Sequence, residues 1–262
     1  MPSERIEIGH AAIYPTAPSE KLLQTIGSKD SKFGHYNSAD YQRIQNEFKT
    51  EAAKEADTRV QRANQSLLET IDAVHAFAVA AKYERNNTTG RWQKPNKLKA
   101  VRAAELTMFT ADALSRQPAL LELFWGKIYQ PLAKSSGLID SELEPITNGM
   151  MAELATGKAL DMIFKKQGKR WVEVFKTTPE EDVNYGKDLV VKQHKMERPI
   201  QVKLLRGGEK PHIRWVNGEI SEAQLYYGKN VEELFNPKTG QPTDELINQL
   251  SLSLPKSFIS QH

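Results

Sequence analysis

Three polar side chains on two short apolar segments carry the clearest chemical signal in this sequence. Asp188 directly precedes the apolar run 189–191, and Gln201 and Lys203 stand at alternate positions of the run 200–205. Alternation places Gln201 and Lys203 on the same face of a strand. A polar turn joins the two runs, so a hairpin would bring the three side chains together. A carboxylate, an amide oxygen and an ammonium at a sheet edge can hold a divalent cation and a water, which is the chemistry of metal-assisted phosphodiester cleavage.

The segment around these residues is more basic than the chain as a whole. Between Lys187 and Arg214 stand eight basic and three acidic residues, a net charge of +5, whereas all 262 residues together carry +3. This local excess predicts a polyanionic substrate. Lys192 and Arg206, in the same segment, are candidate contacts to a nucleic-acid backbone.

Composition bounds the class of protein. The chain is 39% hydrophobic and 26% charged, as in ordinary globular proteins. It has no cysteine, which excludes disulfides, thiolate nucleophiles and cysteine-ligated zinc. The sequence shows no apolar run long enough for a membrane helix and no secretory signal, so a cytoplasmic protein without membrane contact is expected, with a secreted effector or toxin as the alternative.

The elements that must position the candidate residues follow from hydrophobic spacing. Steps of three and four from Ser38 to about Arg85 predict one long amphipathic helix or two nearly continuous ones, and further helices are expected at 96–115, 118–133 and from 142 or 147 to 166. The long helix can be half of an intramolecular hairpin or a homodimerisation arm. A helical region is therefore predicted for residues 1–140.

The spacing changes to a period of two near Gln167, so residues 141–262 are predicted to form an α/β core with a small mixed sheet. Strands are expected at 171–175, 189–191 and 200–205, and a fourth within "HIRWVNG". The segment "SEAQLYYGKNVEELF" is interpreted as helical, and a short closing helix is expected in "PTDELINQLSLSLPKSF". The fold class predicted from these elements is α+β.

A second basic stretch lies at the junction of the first two helical segments. Four of its residues are candidate contacts to nucleic acid, with the tryptophan available for base stacking: Arg91, Trp92, Lys94 and Lys97. The alternative interpretation is a solvated loop whose tryptophan folds back onto the helices.

In the second half, a helix carrying Glu153 leads into a strand at 171–175, a second strand is entered at Asp188, and the third contains Gln201 and Lys203. This order of elements resembles the PD-(D/E)XK nuclease superfamily. The stretch "NYGKDLVV…RPIQVKLL" is similar to the variant of that superfamily in which glutamine replaces the acid of the third strand. The resemblance covers about residues 149–215 and implies a restriction-endonuclease-like core.

The resemblance also implies a role for each position. Asp188 would bind Mg²⁺ or Mn²⁺ directly, and Gln201 would add its amide oxygen. Glu153 would complete the metal shell, with Asp182 as the alternative second carboxylate. A further ligand would be the main-chain carbonyl of Val202. Lys203 would orient the attacking water or neutralise the scissile phosphate.

The function implied is a Mg²⁺-dependent endonuclease, a hydrolase of phosphodiester bonds for which DNA is the expected substrate and RNA the alternative. Two positions depart from the family pattern: Lys187 stands where a proline is usual, and Gln201 replaces an acid. Losing that carboxylate weakens metal binding. A second hypothesis is therefore a non-catalytic module that keeps the nuclease-like core and binds nucleic acid or a protein.

Overall fold

The computed structural model describes residues 4–9, 16–29, 38–85, 92–135, 137–207, 210–216, 218–255 and 258. Its contacts divide the chain into two compact units. The helical unit comprises Tyr14–Ile146, and the sheet unit comprises Met1–Ile13 together with Thr147–His262. The contacts thus divide the chain at 146/147, close to the division at 140/141 expected from the sequence, and they assign the first residues to the sheet unit.

Helices account for most of the regular structure in the described residues. The α-helices are α1 (Glu20–Gly27), α2 (Ser38–Ala52), α3 (Thr58–Arg85), α4 (Lys94–Leu114), α5 (Pro118–Leu123), α6 (Gln130–Lys134), α7 (Asp140–Lys166), α8 (Pro179–Tyr185) and α9 (Asp244–Ser253). A π-helical turn, Phe124–Tyr129, joins α5 to α6, and a 3₁₀ turn is formed by Val231–Glu233. Helix α7 begins in the helical unit and runs on into the sheet unit.

The long amphipathic stripe of the sequence forms two helices rather than one. The separation has a local cause at Asp57, which caps the start of α3. Its carboxylate accepts a hydrogen bond from the Arg59 amide at 2.8 Å, and its carbonyl accepts one from the Gln61 amide at 2.8 Å. In α3 the stripe is buried within the helical unit. Helix α3 packs on α4, and the hydroxyls of Thr70 and Thr110 hydrogen-bond at 2.8 Å between them. This is the arrangement expected of the intramolecular alternative.

The sheet unit contains a six-stranded mixed sheet, which confirms the α+β class. The strands are β1 (Ile6–Glu7), β2 (Val172–Lys176), β3 (Leu189–Gln193), β4 (Met196–Arg206), β5 (His212–Val216) and β6 (Ser221–Tyr227). Their order in the sheet is β1-β2-β3-β4-β6-β5. All neighbours are antiparallel except β4 and β6, which run parallel. The predicted hairpin of β3 and β4 is confirmed.

One predicted element is wrong. The segment beginning "SEAQLYY" was expected to be helical, but its first seven residues are strand β6. Ala223 and Leu225 are buried on one face, whereas Glu222 and Gln224 on the other are only half-buried. Strand β6 lies between β4 and β5, so its backbone groups are paired on both sides. These two neighbours decide the conformation of a segment whose apolar residues also fit helical spacing.

Helix α7 packs on one face of this sheet. At Gly157 a side chain would collide with Ile8, since a Cβ would lie 2.7 Å from its Cδ1, and the same position is 3.5 Å from Cδ2 of Leu189. Glycine therefore permits the close approach of α7 to β3 and to the segment after β1. Glu153 lies four residues earlier on α7, about one turn from this contact.

Among the helices in the described part of the chain, none has the length and apolar character needed to cross a membrane.

Candidate metal centre

Three carboxylates converge where β2 ends and β3 begins. Glu153 comes from α7, Asp182 from α8, and Asp188 directly precedes β3. One carboxylate oxygen from each lies within 4.8 Å of the others. Glu153 and Asp182 had been alternatives for the second acid of the site, and the structure places both beside Asp188.

Asp182 is positioned by a short helix with strong signals at both ends. Thr178 caps α8, because its hydroxyl accepts the Glu181 amide and the Glu181 carboxylate accepts the Thr178 amide. Gly186 ends the helix with a φ of 63°, a left-handed conformation that favours glycine. The helix therefore has a defined length, which fixes where Asp182 and the following Asp188 stand.

Asp188 is held by the backbone of β4. Its Oδ2 accepts the Val202 amide at 2.6 Å, while its own amide donates to the Ile200 carbonyl at 2.9 Å. The carboxylate thus satisfies a backbone donor of β4 at the point where β3 starts. Val202 was expected to contribute its carbonyl to a metal, and the observed contact to Asp188 is made by its amide.

A buried lysine lies among the three acids. Lys176 is the last residue of β2 and only 2% of its side chain is exposed. Its Nζ is 3.0 Å from Oε2 of Glu153 and 3.4 Å from Oδ2 of Asp182. Sequence reasoning missed this residue. The available signal was the alternation of β2, in which Val172, Val174 and Lys176 share the face that turns out to be buried.

Proximity and burial change the acid–base properties of this acid cluster, which is formed by Glu153, Asp182, Asp188 and Lys176. Burial, followed by the charge of Glu153, raises the pKa of Asp188 to about 8. Burial also raises the pKa of Glu153 above its ordinary value. Burial by itself lowers the pKa of Lys176, but the three carboxylates together raise it above its usual range. Near neutral pH the lysine is therefore charged and Asp188 retains a proton.

The two other residues of the expected site lie on β4, beyond the contact between Val202 and Asp188. Gln201 packs against α8, since its Nε2 is 3.1 Å from the position that a Cβ at Gly186 would take. Lys203 is half-exposed and forms an ion pair with Glu222 of β6, with Nζ and Oε2 2.7 Å apart. Neither side chain has a described hydrogen bond or ion pair with the three carboxylates.

Arg5, which precedes β1, joins α8 to β4 through two ion pairs. Arg5 donates to Glu181 of α8 with Nη2 and Oε1 2.6 Å apart, and its Nη1 lies 2.8 Å from Oε2 of Glu197 on β4. The segment before β1 is thereby joined to the helix that carries Asp182. The sequence alone gave no indication of this role, because the partners lie about 180 residues away.

The candidate nucleic-acid contacts lie in both units. In the helical unit Trp92 stacks on Phe77 with ring centroids 6.2 Å apart, as in the alternative of a tryptophan folded onto the helices. Lys94 and Lys97 are exposed at the start of α4, and Arg91 lies outside the described residues. In the sheet unit Lys192 lies over the Phe175 ring, and Arg206 is exposed at the end of β4.

Comparison of this chain with protein-family models, with curated proteins and with solved structures found no match.

Proposed function

We propose that the sheet unit is a divalent-metal-dependent phosphodiesterase that cleaves nucleic acid, with DNA as the expected substrate. The observation that carries the proposal is the convergence of the Glu153, Asp182 and Asp188 carboxylates within 4.8 Å of one another. They come from three separate elements, so the cluster is a product of the fold and not of local sequence. Like charges at this separation repel, and the ammonium of Lys176 balances only one of the three.

The donor set fits Mg²⁺ or Mn²⁺. Both ions prefer carboxylate oxygens, and neither needs the cysteine or histidine ligands that this site lacks. Because the pKa of Asp188 is raised to about 8, metal binding near neutral pH would displace its proton. With Lys176 charged and all three carboxylates then ionised, the cluster has a formal charge of −2, which a divalent ion balances. When bound, such an ion polarises a phosphoryl oxygen and lowers the pKa of its water.

The two lysines of the region have different expected roles. Lys176 is buried and paired with Glu153 and Asp182, so it acts as an internal counter-ion that holds these carboxylates in position. Lys203 is half-exposed on the strand whose backbone binds Asp188. It can therefore meet a substrate phosphate from solvent, in keeping with the role that the resemblance implies. Gln201 lies on the same face of β4 as Lys203.

A second candidate function is a non-catalytic nucleic-acid-binding module. The observation that favours it is the ammonium of Lys176, which already supplies a cation to Glu153 and Asp182. Gln201, where the family pattern has an acid, removes one further carboxylate. On this hypothesis the acid cluster is a structural ion-pair network, and the basic segment 187–214 binds polyanions without cleaving them.

The deciding experiment is cleavage by purified wild-type and Asp188→Asn protein. Supercoiled plasmid and a labelled RNA are each incubated with Mg²⁺, with Mn²⁺ or with EDTA. Wild type should cut in Mg²⁺ and not in EDTA, and Asp188→Asn should lose at least about 100-fold in rate, as when a metal ligand or its partner is removed. Asp244→Asn, an exposed aspartate at the start of α9, is the matched control.

Three results distinguish the candidates. Wild-type rates in Asp188→Asn would exclude the proposed mechanism. Binding of plasmid that weakens with salt, without cleavage in either metal, would favour the binding module. Equal loss of activity in Asp188→Asn and Asp244→Asn would indicate general damage to the fold, which circular dichroism of both variants would detect.

A further inference from the structure

The sheet unit has a second polar surface, on the strands beyond the acid cluster. On one face of β4, β6 and β5, Ile200, Ala223, Leu225 and Ile213 are buried. On the opposite face the register aligns two rows of three residues across the strands. These six residues, which define the outer face, are Leu205, Tyr226 and His212 in one row and Lys203, Gln224 and Arg214 in the other. None of them is buried, although all lie inside strands.

Two aromatic rings are stacked on the outer face. His212 and Tyr226 face each other across β5 and β6, with ring centroids 4.4 Å apart and planes within 4° of parallel. His212 lies on the edge strand and is exposed, whereas Tyr226 is half-buried. The accessible aromatic surface is therefore that of His212, and a planar group placed there would extend the stack.

The polar side chains of the outer face are already ordered. Glu222, on the same side of β6, binds Lys203 at 2.7 Å and accepts a hydrogen bond from the Gln224 amide, and Gln224 Oε1 accepts the Tyr226 hydroxyl at 3.0 Å. This series of contacts joins the two rows. Side chains fixed in this way lose little conformational entropy when a ligand binds.

The charge of the outer face and its margin suits a polyanion. Lys203 and Arg214 are the cationic residues of the outer face, and Arg206 at the end of β4 and Lys210, two residues before β5, are exposed at its margin. The Glu222 carboxylate, on the same face of β6, is paired with Lys203. Gln201 continues the same face along β4, and its side chain lies beside Gly186, two residues before Asp188. One end of the outer face is therefore close to the segment that leads into the candidate metal centre.

We propose that the outer face of β4, β6 and β5 binds an unpaired nucleic-acid strand, with one base stacked on His212 and the backbone along Lys203 and Arg214. This assignment rests on the proposed function only for its link to cleavage; the binding itself is independent of it. An unpaired strand is favoured over a duplex because its bases expose their π-faces, whereas a duplex keeps them inside the stack. Unpaired DNA and RNA share this chemistry.

The test is the binding of fluorescent 12-nucleotide DNA, RNA and duplex DNA in EDTA, where no metal-dependent cleavage occurs. His212→Asn should weaken binding of unpaired strands by about 5- to 50-fold, the range expected for loss of one stacked base. The matched control is His194→Asn, since His194 is also exposed and stacks on an aromatic residue, Trp171. Asparagine tolerates the φ of 55° at His194.

Charge is tested by two further variants. Arg214→Ala should reduce the slope of log affinity against log salt by about 1. The control is Arg170→Ala, at an exposed arginine outside the outer face, which should leave that slope unchanged. Glu222→Gln should tighten binding by roughly 2- to 10-fold, because Lys203 no longer has a carboxylate partner. A gain of affinity cannot arise from a damaged fold.

The outcomes separate this proposal from the proposed function. Weaker binding in His212→Asn without any cleavage by wild type would support the outer face and exclude the nuclease. Cleavage by wild type, with unchanged binding in His212→Asn and Glu222→Gln, would support the nuclease and exclude binding at the outer face. Preference for duplex over both single strands, or an equal loss in His194→Asn, would overturn the proposal. The DNA and RNA arms show which strand is preferred.

Discussion

Lys176 and Lys203 both lie on strands of the same sheet, but their surroundings differ. Lys176 is 2% exposed and touches two carboxylates of the acid cluster, whereas Lys203 is 46% exposed and pairs with Glu222. A buried ammonium cannot be hydrated, so its charge must be balanced by protein groups. An exposed one remains available to a ligand. Lys176 therefore balances charge inside the fold, and Lys203 is the lysine to which the proposed function assigns a substrate contact.

The ammonium nearest the three carboxylates belongs to Lys176 and not to Lys203. From sequence, Lys203 was the expected partner of Asp188, through its place in the alternation of β4. The structure places the ammonium of Lys176 within 3.4 Å of both Glu153 and Asp182. The four predictions that follow test this contrast.

The largest effect is expected on removing the buried ammonium. Lys176→Met should lower the free energy of unfolding by about 3–5 kcal/mol, because it leaves Glu153, Asp182 and Asp188 without their internal counter-ion. The measurement is urea unfolding at pH 7. If a divalent ion occupies the cluster, Mg²⁺ should raise the melting temperature of this variant more than that of wild type. A Lys176→Met protein as stable as wild type would refute the role of Lys176 as counter-ion.

The second effect concerns pH. The pKa of Asp188 is raised to about 8, so its protonated form is favoured in the folded state. The neutral Asp188 carboxyl therefore contributes to the free energy of unfolding fully below its ordinary pKa of about 4. This contribution is lost as pH rises towards and through 8, where the buried carboxyl ionises. Asp188→Asn should therefore be more stable than wild type at pH 9, by roughly 1–3 kcal/mol. Urea titrations from pH 4 to 9 measure the difference.

The direction in which the stability difference between Asp188→Asn and wild type changes with pH shows whether Asp188 is neutral in the folded protein. The gap between Asp188→Asn and wild type should shrink as pH falls, since both side chains are then neutral. Asp244→Asn, with an exposed side chain, should show no such trend. A gap that widens towards acid pH would mean that Asp188 is ionised in the folded protein.

A smaller effect is expected where Arg5 supports α8. Arg5→Ala should lower the free energy of unfolding by about 1–2 kcal/mol, because it breaks partly buried ion pairs with Glu181 and Glu197. It should also weaken Mg²⁺ binding, since α8 carries Asp182. The control is Arg59→Ala, whose pair with Asp57 is exposed. Calorimetric titration with Mg²⁺ gives the affinity, and equal affinities in the two variants would argue against a positioning role.

The smallest effect on stability is expected at the exposed member of the comparison. Lys203→Met should change the free energy of unfolding by less than about 0.5 kcal/mol, as for most solvent-exposed ion pairs. Its effect should appear in cleavage and in binding of nucleic acid. A loss of stability similar to that of Lys176→Met would show that the two lysines do not differ in the way the structure indicates.

Much of the fold was predictable from the sequence. The spacing of apolar residues indicated helices α2 to α7, the closing helix α9 and strands β2 to β5, because one buried face imposes a period of 3.6 or 2 on each element. Strand β6 was mistaken for a helix, since its short apolar pattern fits both periods. Only its pairing with β4 and β5 distinguishes the two, and a sequence does not show which strands will be neighbours.

The candidate site was predictable in part, and the division has a physical reason. The sequence determined the types of side chain, the strand entered at Asp188 and the hairpin that follows, all of which depend on neighbours along the chain. It named Glu153 and Asp182 as alternatives without deciding between them. The tertiary structure decided that both join Asp188, that Lys176 lies among them and that Lys203 pairs with Glu222. These contacts join residues on different elements, and only the packing of those elements brings them together.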